Sequence, residues 1–168
     1  RWPAQKPNFE NKQVAVVGTG SSGIQVISQV AEEADKLYVL QRTPAYTIPL
    51  QNRPVDPGHA AKMKAQYAEL RERQRNSFSG FTLVHSDLAP PPTQSALEVS
   101  DEARRAEYEN RWASGGLSPY YAFTDSLLNM ESNQTLAEFA REKIRARIDD
   151  PVIAEKMCPQ YPILTRRL

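Results

Sequence analysis

The sequence predicts an α/β fold that begins with a short parallel β-turn-α-β unit. Two runs of β-branched and apolar residues, 12–18 and 36–42, have the composition of parallel strands and are expected to be buried. Between them, apolar residues recur at helical spacing from residue 24 to residue 34. A glycine-rich turn, GTGSSG at residues 18–23, joins the first strand to this helix. A unit of about 30 residues with this order is typical of a partial Rossmann fold.

A large, mostly helical insertion is predicted next, over residues 49–162. Its first helix is expected to start at Asp56, which suits an N-cap and is followed by proline, and to run to about residue 76. Residues 77–99 show no periodicity, which is typical of an insertion or a surface lid. A second helix is expected from Ser100 to about residue 115, and a third over residues 133–148, where the apolar stripe is clearest.

The end of the chain is predicted to leave the insertion and re-enter the sheet. Residues 118–130 are a weaker helical candidate, and Asp150 followed by proline starts a short helix. The predicted domains are a Rossmann βαβ unit with its leading linker at 1–48, the insertion at 49–162, and a return strand at 163–168. Because a Rossmann half-domain needs at least three parallel strands, this organisation indicates a piece of a longer protein.

Composition excludes several classes of protein. The 168 residues include 21 basic and 20 acidic side chains, so no overall electrostatic field favours binding to nucleic acid or to a membrane surface. No apolar run has the length needed to span a bilayer. The single cysteine, Cys158, excludes an internal disulfide, suits a reducing cytoplasm and is expected to be a packed thiol.

The glycine-rich turn predicts a phosphate site. Gly18 suits the tight turn off the strand, Gly20 lets a pyrophosphate approach the backbone, and Gly23 lets the helix pack closely on the sheet. The helix N-terminus then offers unpaired N–H groups to phosphates. Further hydroxyl donors come from the residues between the glycines, Thr19, Ser21 and Ser22. After a strand and before a helix, this spacing favours a dinucleotide site over a glycine turn in an unrelated α/β domain.

The end of the second strand indicates which dinucleotide binds. In NAD and FAD sites an acidic residue usually follows this strand, but here Arg42 and Thr43 do. A carboxylate would repel a 2′-phosphate, whereas Arg42 offers a planar fork of donors that matches phosphate oxygens. The pair therefore predicts NADP(H), against the alternative of an arginine that merely ends the strand in solvent.

Other polar and aromatic clusters are given structural interpretations. His59 and His85 are far apart and are expected on the surface, and no spacing of ligands predicts a metal. The basic run at residues 141–147 favours a solvated helix face over a nucleic-acid patch. Core packing is favoured over a substrate pocket for three aromatic residues, Tyr120, Tyr121 and Phe123.

Several motifs, in order, resemble the NADPH-binding domain of the Baeyer–Villiger monooxygenases, which are class B flavoprotein monooxygenases. RWP at residues 1–3 is similar to the tail of the family fingerprint FxGxxxHxxxW(P/D). GTGSSGIQ and QRTP are similar to the phosphate loop and to the motif after the second strand. SALEVSDE at residues 95–102 and the glycine pair at 115–116 resemble the family's helical insertion, and YPILTRRL resembles its return to the sheet.

The resemblance implies roles for individual residues. Arg42 and Thr43 match the pair that binds the 2′-phosphate, and Arg166 matches a basic residue, often lysine, that reaches the same phosphate. Gln25 closes the matched phosphate loop and is implied to contact the cofactor. Arg167 matches the arginine that enters the active site, where it stabilises the flavin peroxide.

The resemblance also implies the reaction of the parent protein. NADPH reduces FAD, oxygen forms a C4a-peroxyflavin, and this species converts a ketone to an ester or lactone. FAD is expected to bind a domain of the same polypeptide that is not in this chain, so the chain alone is expected to be inactive. The alternatives are an N- or S-oxidising class B monooxygenase and a dinucleotide-binding module without chemistry of its own.

Overall fold

The computed structural model describes residues 4–5, 7–52, 54–76 and 92–165. Two strands pair in parallel, β1 (Gln13–Val17) with β2 (Lys36–Leu40), and helix α1 (Ser21–Glu33) connects them. The register places Gln13 opposite Lys36 and Val17 opposite Leu40. The predicted βαβ unit is therefore confirmed.

The expectation that both strands are buried is wrong. Val17 is 81% exposed and Leu40 is 51% exposed. Along β1, Val14 and Val16 are less exposed than their neighbours, so one face is partly covered and the other is open. A parallel strand is buried on both faces only when helices cover both sides of its sheet. Within the described ranges, α1 alone connects the two strands.

Five more α-helices follow the βαβ unit in the described residues. They are α2 (Pro57–Ala65), α3 (Tyr67–Asn76), α4 (Asp101–Ser114), α5 (Met130–Arg145) and α6 (Pro151–Met157). The predicted N-caps are confirmed, because side chains of Asp56, Ser100 and Asp150 accept backbone N–H groups of the first turns.

Two helical predictions need correction. The single helix expected up to residue 76 is two, because the chain leaves helical geometry at Gln66 (φ −100°, ψ 14°). Neither α2 nor α3 buries a residue, so little packing holds one straight axis. The candidate at residues 118–130 is a 3-10 helix, Ser118–Tyr121, followed by turns. The side chain of Asn129 accepts the N–H groups of Glu131 and Ser132, which starts α5 earlier than its apolar stripe indicated.

The chain divides into two compact units, residues 1–47 with 140–168 and residues 48–139. Residues 140–162 pack in the unit of the sheet, and the predicted bounds of the insertion, 49–162, stay a prediction. The predicted return strand is not seen at residues 163–165, which form a turn with Leu164 at a φ of 62°. Residues 166–168 lie outside the described ranges.

An aromatic core holds the second unit together. Tyr108, which is 2% exposed, packs edge-on against Phe123. The ring centroid of Phe139 lies 5.3 Å from that of Tyr108 and 5.8 Å from that of Trp112. Burial raises the pKa of Tyr108, and its hydrogen bond to Thr135 opposes part of that rise. The core assignment is confirmed for Phe123, as for Tyr120, whereas Tyr121 is half-buried.

The unit of the sheet buries two polar side chains near its end. Cys158 is 2% exposed, with its Sγ 3.8 Å from the carbonyl oxygen of Arg141, so the packed thiol is confirmed. Arg141 is itself only 5% exposed. The expectation that the basic run 141–147 is a solvated face is therefore wrong for this residue, whose guanidinium is enclosed by hydrogen-bond acceptors.

Candidate dinucleotide-binding site

The glycine-rich turn leads from the carboxyl end of β1 into α1 and is hydrogen-bonded to the carboxyl end of β2. Gly18 has a φ of +94°, which L side chains rarely adopt, and its N–H donates to the carbonyl oxygen of Leu40 at 2.9 Å. A Cβ at Gly23 would stand 2.4 Å from the carbonyl oxygen of Gly18. Glycines at these positions thus allow the turn and let the start of α1 lie against it.

The N-terminus of α1 lacks the side-chain cap that α2, α4 and α6 have. Gly20 is its N-cap, and within the described residues no side chain caps it and no acidic residue occupies its first turn. A Cβ at Gly20 would meet no atom within 4 Å. A helix start with open space in front of it and N–H groups without side-chain partners is suited to an anion.

The residues around the glycines differ in how accessible their polar groups are. Ser21 and Ser22 are exposed at the first turn of α1, and Gln25 is exposed with its Nε2 donating to the carbonyl oxygen of Ser21 at 3.1 Å. The Oγ1 of Thr19 donates its proton to Oε1 of Gln41 at 3.0 Å. Thr19 can therefore accept a hydrogen bond from a ligand, but its donor is already in use.

Arg42 and Thr43 lie at the same edge as the glycine-rich turn. They follow β2 directly after Gln41, and Gly18 is hydrogen-bonded to the last residue of that strand, Leu40. Arg42 is exposed, whereas Thr43 is half-buried. The start of α1 and Arg42 thus follow the paired carboxyl ends of β1 and β2.

Arg166 and Arg167, together with residues 1–3 of the fingerprint tail, lie outside the described residues. His85 is also outside them, whereas His59 is exposed in α2 as expected. Across the described parts of the chain, no group of three or more His, Cys, Asp and Glu side chains could hold a metal ion. No helix among the same residues is long and apolar enough to cross a membrane.

Two further residues in the unit of the sheet make contacts that the sequence did not predict. Oε1 of Gln41 accepts the proton of Thr19, and its Nε2 points to the carbonyl oxygen of Lys156 (3.5 Å) and to Sδ of Met157 (3.4 Å). Arg141 is buried although it belongs to the basic run 141–147. Its place four residues after Ala137 and three before Ile144, on the apolar stripe, was the available signal.

A polar cluster in the second unit surrounds Asp125. Its Oδ2 accepts the hydroxyls of Ser132 (2.6 Å) and Ser95 (2.7 Å), and its Oδ1 accepts the N–H of Ala96 (3.1 Å). Burial raises the pKa of Asp125, but the hydrogen bonds from Ser132, Ser95 and Ala96 together hold that pKa below its ordinary value of 3.8. The cluster ties residues 95–96, in the SALEVSDE motif, to the first turn of α5.

The chain resembles known monooxygenases over nearly its whole length. It is 38% identical to cyclohexanone 1,2-monooxygenase of an Acinetobacter species over 162 residues, which is 95% of this chain and 28% of that protein. It is 34% identical to a Baeyer–Villiger monooxygenase of Pseudooceanicola batsensis over 161 residues, 95% of this chain and 28% of that protein. A phenazine N-monooxygenase of Lysobacter antibioticus is 32% identical over 160 residues, 94% of this chain and 28% of that protein.

A solved structure of a monooxygenase has a similar fold. The chain superimposes with a TM-score of 0.87 on a steroid monooxygenase whose structure is oxidized and bound to NADP, at 45% identity, covering 100% of this chain and 31% of that one. No family profile matches the chain. It spans less than a third of the length of the curated relatives it matches, 31% or less in each case.

The fold and the site first define a class. A parallel βαβ unit with a glycine-rich turn, an uncapped helix start and a basic strand end is typical of the first half of a Rossmann-type dinucleotide-binding unit. The whole-chain similarity then identifies the homologues. The chain is homologous to one part of the Baeyer–Villiger monooxygenases and has the form of a partial Rossmann unit with a helical insertion.

Proposed function

We propose that this chain is the NADP(H)-binding part of a flavin-dependent Baeyer–Villiger-type monooxygenase, which converts a ketone to an ester or lactone with O2. One observation carries the proposal. The glycine-rich turn is hydrogen-bonded to the end of β2 through Gly18 and Leu40, and Arg42 and Thr43 follow that end directly. A helix N-terminus and a phosphate-reading cation therefore share one edge of the sheet.

The pyrophosphate is proposed to bind at the start of α1. Gly20 leaves space for the ligand, and the N–H groups of Ser21, Ser22 and Gly23 lie in the first turn, where a helix attracts anions. Gly18 shapes the turn. Thr19 in the turn and Gln25, one turn into α1, are the other proposed contacts of the dinucleotide. The first turn contains no carboxylate that would repel phosphate, within the described part of the chain.

The 2′-phosphate is proposed to bind Arg42 and Thr43, with Arg166 as a second cation. Arg42 is exposed, so its guanidinium is accessible to a ligand. A guanidinium matches the geometry of phosphate oxygens with two parallel donors. NAD(H) lacks this phosphate, so the arrangement favours NADP(H).

The parent protein is proposed to combine this part with a flavin domain of the same polypeptide. NADPH, when bound, supplies a hydride for reduction of FAD. The residues of this chain hold and orient the dinucleotide. Arg167 is proposed to place a positive charge where negative charge develops on oxygen. A cytoplasmic location fits the single thiol of Cys158, which needs no oxidising compartment.

The test is a titration of the full-length protein with NADPH and with NADH. We expect NADPH to bind more tightly, and Arg42→Ala to weaken NADPH binding by about tenfold or more while leaving NADH binding nearly unchanged. Arg75→Ala, which removes an arginine whose side chain is 68% exposed in α3, is the matched control. Equal weakening of both dinucleotides by Arg42→Ala would exclude the 2′-phosphate role.

A second candidate reaction is oxidation of nitrogen. The similarity to a phenazine N-monooxygenase, at 32% identity, is the observation that favours it. Incubating the full-length enzyme with NADPH and a cyclic ketone, and separately with an aromatic nitrogen heterocycle, separates the two. Lactone without N-oxide supports the first reaction, and N-oxide without lactone supports the second. If NADPH binds but neither these substrates nor an organic sulfide stimulates its oxidation, the result supports a non-catalytic dinucleotide-binding module.

A further inference from the structure

The hydroxyl of Thr19, in the middle of the glycine-rich turn, has its proton committed to the protein. Oγ1 of Thr19 donates to Oε1 of Gln41 at 3.0 Å. A threonine hydroxyl carries one proton and two lone pairs, so this bond uses the donor and leaves the oxygen able to accept. Thr19 is only partly buried, so a ligand in the turn can approach it.

The amide of Gln41 sets the direction of that hydrogen bond. Its Nε2 lies 3.4 Å from Sδ of Met157 and 3.5 Å from the carbonyl oxygen of Lys156, and both of these atoms can only accept. With the amide reversed, its oxygen would face two acceptors. The NH2 group therefore points toward α6 and the carbonyl oxygen points toward Thr19, which has to be the donor.

A ligand group that meets Oγ1 of Thr19 must therefore bring a proton of its own. The ionised oxygens of a phosphate only accept hydrogen bonds, so they suit the N–H groups at the start of α1 and the guanidinium of Arg42 better than this oxygen. A ribose hydroxyl can donate. In NADP(H) the 2′ oxygen of the adenosine ribose carries the phosphate, so the hydroxyl that remains on that ring is the one at the 3′ carbon.

The position of Thr19 favours the adenosine ribose over the nicotinamide ribose. Thr19 is hydrogen-bonded to Gln41, which is the residue directly before Arg42, the proposed partner of the 2′-phosphate. The 3′ carbon of the ribose is bonded to the carbon that bears this phosphate. A Cβ at Gly20, the next residue after Thr19, would meet no atom of the described residues within 4 Å, so there is space beside Thr19 for a ligand.

We propose that Thr19, oriented by Gln41, recognises the 3′-hydroxyl of the adenosine ribose by accepting a hydrogen bond from it. This inference rests on the proposed NADP(H) function and names the sugar group that the glycine-rich turn recognises. Thr19 touches the ligand, whereas Gln41 acts through Thr19. Because NADPH and NADH share the 3′-hydroxyl, Thr19 contributes affinity for both and leaves the choice between them to Arg42.

The test is a titration of the full-length protein with two fragments of the cofactor, adenosine 2′,5′-bisphosphate and its 3′-deoxy analogue. Both fragments carry the 2′-phosphate and neither carries the nicotinamide ribose, so they differ only in the proposed donor. We expect the 3′-deoxy fragment to bind the unaltered protein about three- to tenfold more weakly, which corresponds to the loss of one hydrogen bond.

Variants of Thr19 assign the effect to this residue. Thr19→Val keeps the shape of the side chain without its hydroxyl and should bind the two fragments with equal affinity, whereas Thr19→Ser should retain the difference between them. Thr47→Val is the matched control, because it removes the hydroxyl of an exposed threonine in the same unit, and it should also retain the difference. Thermal unfolding shows whether each variant is folded, and Thr19→Ala replaces Thr19→Val if the latter is not.

Two results would overturn the inference while the proposed function stands. One is equal binding of the two fragments to the unaltered protein, although Arg42→Ala still weakens both. The other is a folded Thr19→Val variant that still binds the 3′-deoxy fragment more weakly, because the 3′-hydroxyl would then have a different partner. An unaltered protein that binds neither fragment and does not prefer NADPH to NADH would overturn the proposed function and, with it, this inference.

Discussion

Thr19 and Gln41 are joined by a hydrogen bond of 3.0 Å, from Oγ1 of the first to Oε1 of the second, across 22 residues of sequence. The bond connects the middle of the glycine-rich turn to the residue that immediately follows β2. Together with the bond from Gly18 to Leu40, it fixes the turn to the strand end by both a side chain and the backbone. The loop is therefore held in place by the segment that leads to Arg42 and Thr43, the residues proposed to bind the 2′-phosphate.

Gln41→Met should weaken both dinucleotides alike. The methionine keeps the length of the side chain, but its thioether sulfur is a much weaker acceptor for the proton of Thr19, so the loop proposed to hold the shared pyrophosphate should loosen. We expect dissociation constants for NADPH and NADH to rise by a similar factor, about fivefold for one hydrogen bond. Isothermal titration of the full-length protein measures both constants. Gln74→Met, on the exposed face of α3, should change neither. A selective loss of NADPH binding would contradict this role of Gln41.

Gly23→Ala should mainly lower the stability of the protein, whereas Gly20→Ala should mainly weaken NADPH binding. A Cβ at Gly23 would stand 2.4 Å from a backbone oxygen, so Gly23→Ala should lower the free energy of unfolding by about 1–3 kcal/mol. A Cβ at Gly20 meets nothing within 4 Å, so Gly20→Ala should cost only about 0.5 kcal/mol, because alanine is a poorer N-cap. It should nevertheless weaken NADPH binding by obstructing the approach of the pyrophosphate. Denaturant unfolding and titration of both variants test the pair, and unaltered NADPH binding by Gly20→Ala would argue against a phosphate there.

Asp125 should make the free energy of unfolding depend on pH in the acid range. Its pKa is lower in the folded protein than its ordinary value of 3.8, so the folded state binds fewer protons than the unfolded state near that pH. The stabilisation is therefore present above about pH 5 and is lost as the pH falls through the folded pKa. Asp125→Asn should cost about 1 kcal/mol at pH 7, and the difference from the unaltered protein should shrink below pH 4. Thermal unfolding as a function of pH measures it, and a constant difference from pH 7 to pH 3 would contradict the linkage.

The chain by itself should not oxidise ketones. Two of its relatives are named FAD-binding monooxygenases, and this chain spans less than a third of their length. We expect the isolated 168 residues, mixed with NADPH, FAD and a cyclic ketone, to consume no NADPH above background. Lactone formation by the isolated chain, measured by gas chromatography, would show that the flavin site is complete within it. The full-length protein under the same conditions is the control.

Local signals predicted much of the secondary structure. Asp56, Ser100 and Asp150 were recognised as helix starts because capping depends on residues close in sequence, and all three accept the expected N–H groups. The turn at Gly18 and the close approach at Gly23 were predictable for the same reason, since the spacing of glycines encodes local backbone geometry. The failures at residues 118–130 and at Gln66 occurred where periodicity was weak and burial slight.

By itself the sequence determined the βαβ unit, its glycine-rich turn and the basic residues after the second strand, because short-range spacing specifies each of them. The tertiary structure decided that Gln41 holds Thr19, that Arg141 is buried, and that Tyr46 and Tyr161 exchange hydrogen bonds with each other's segments. It also decided that the strands are largely exposed within the described residues. These features depend on partners that are distant in the chain, or on which layers cover a surface, and neither is recorded in the local pattern of residues.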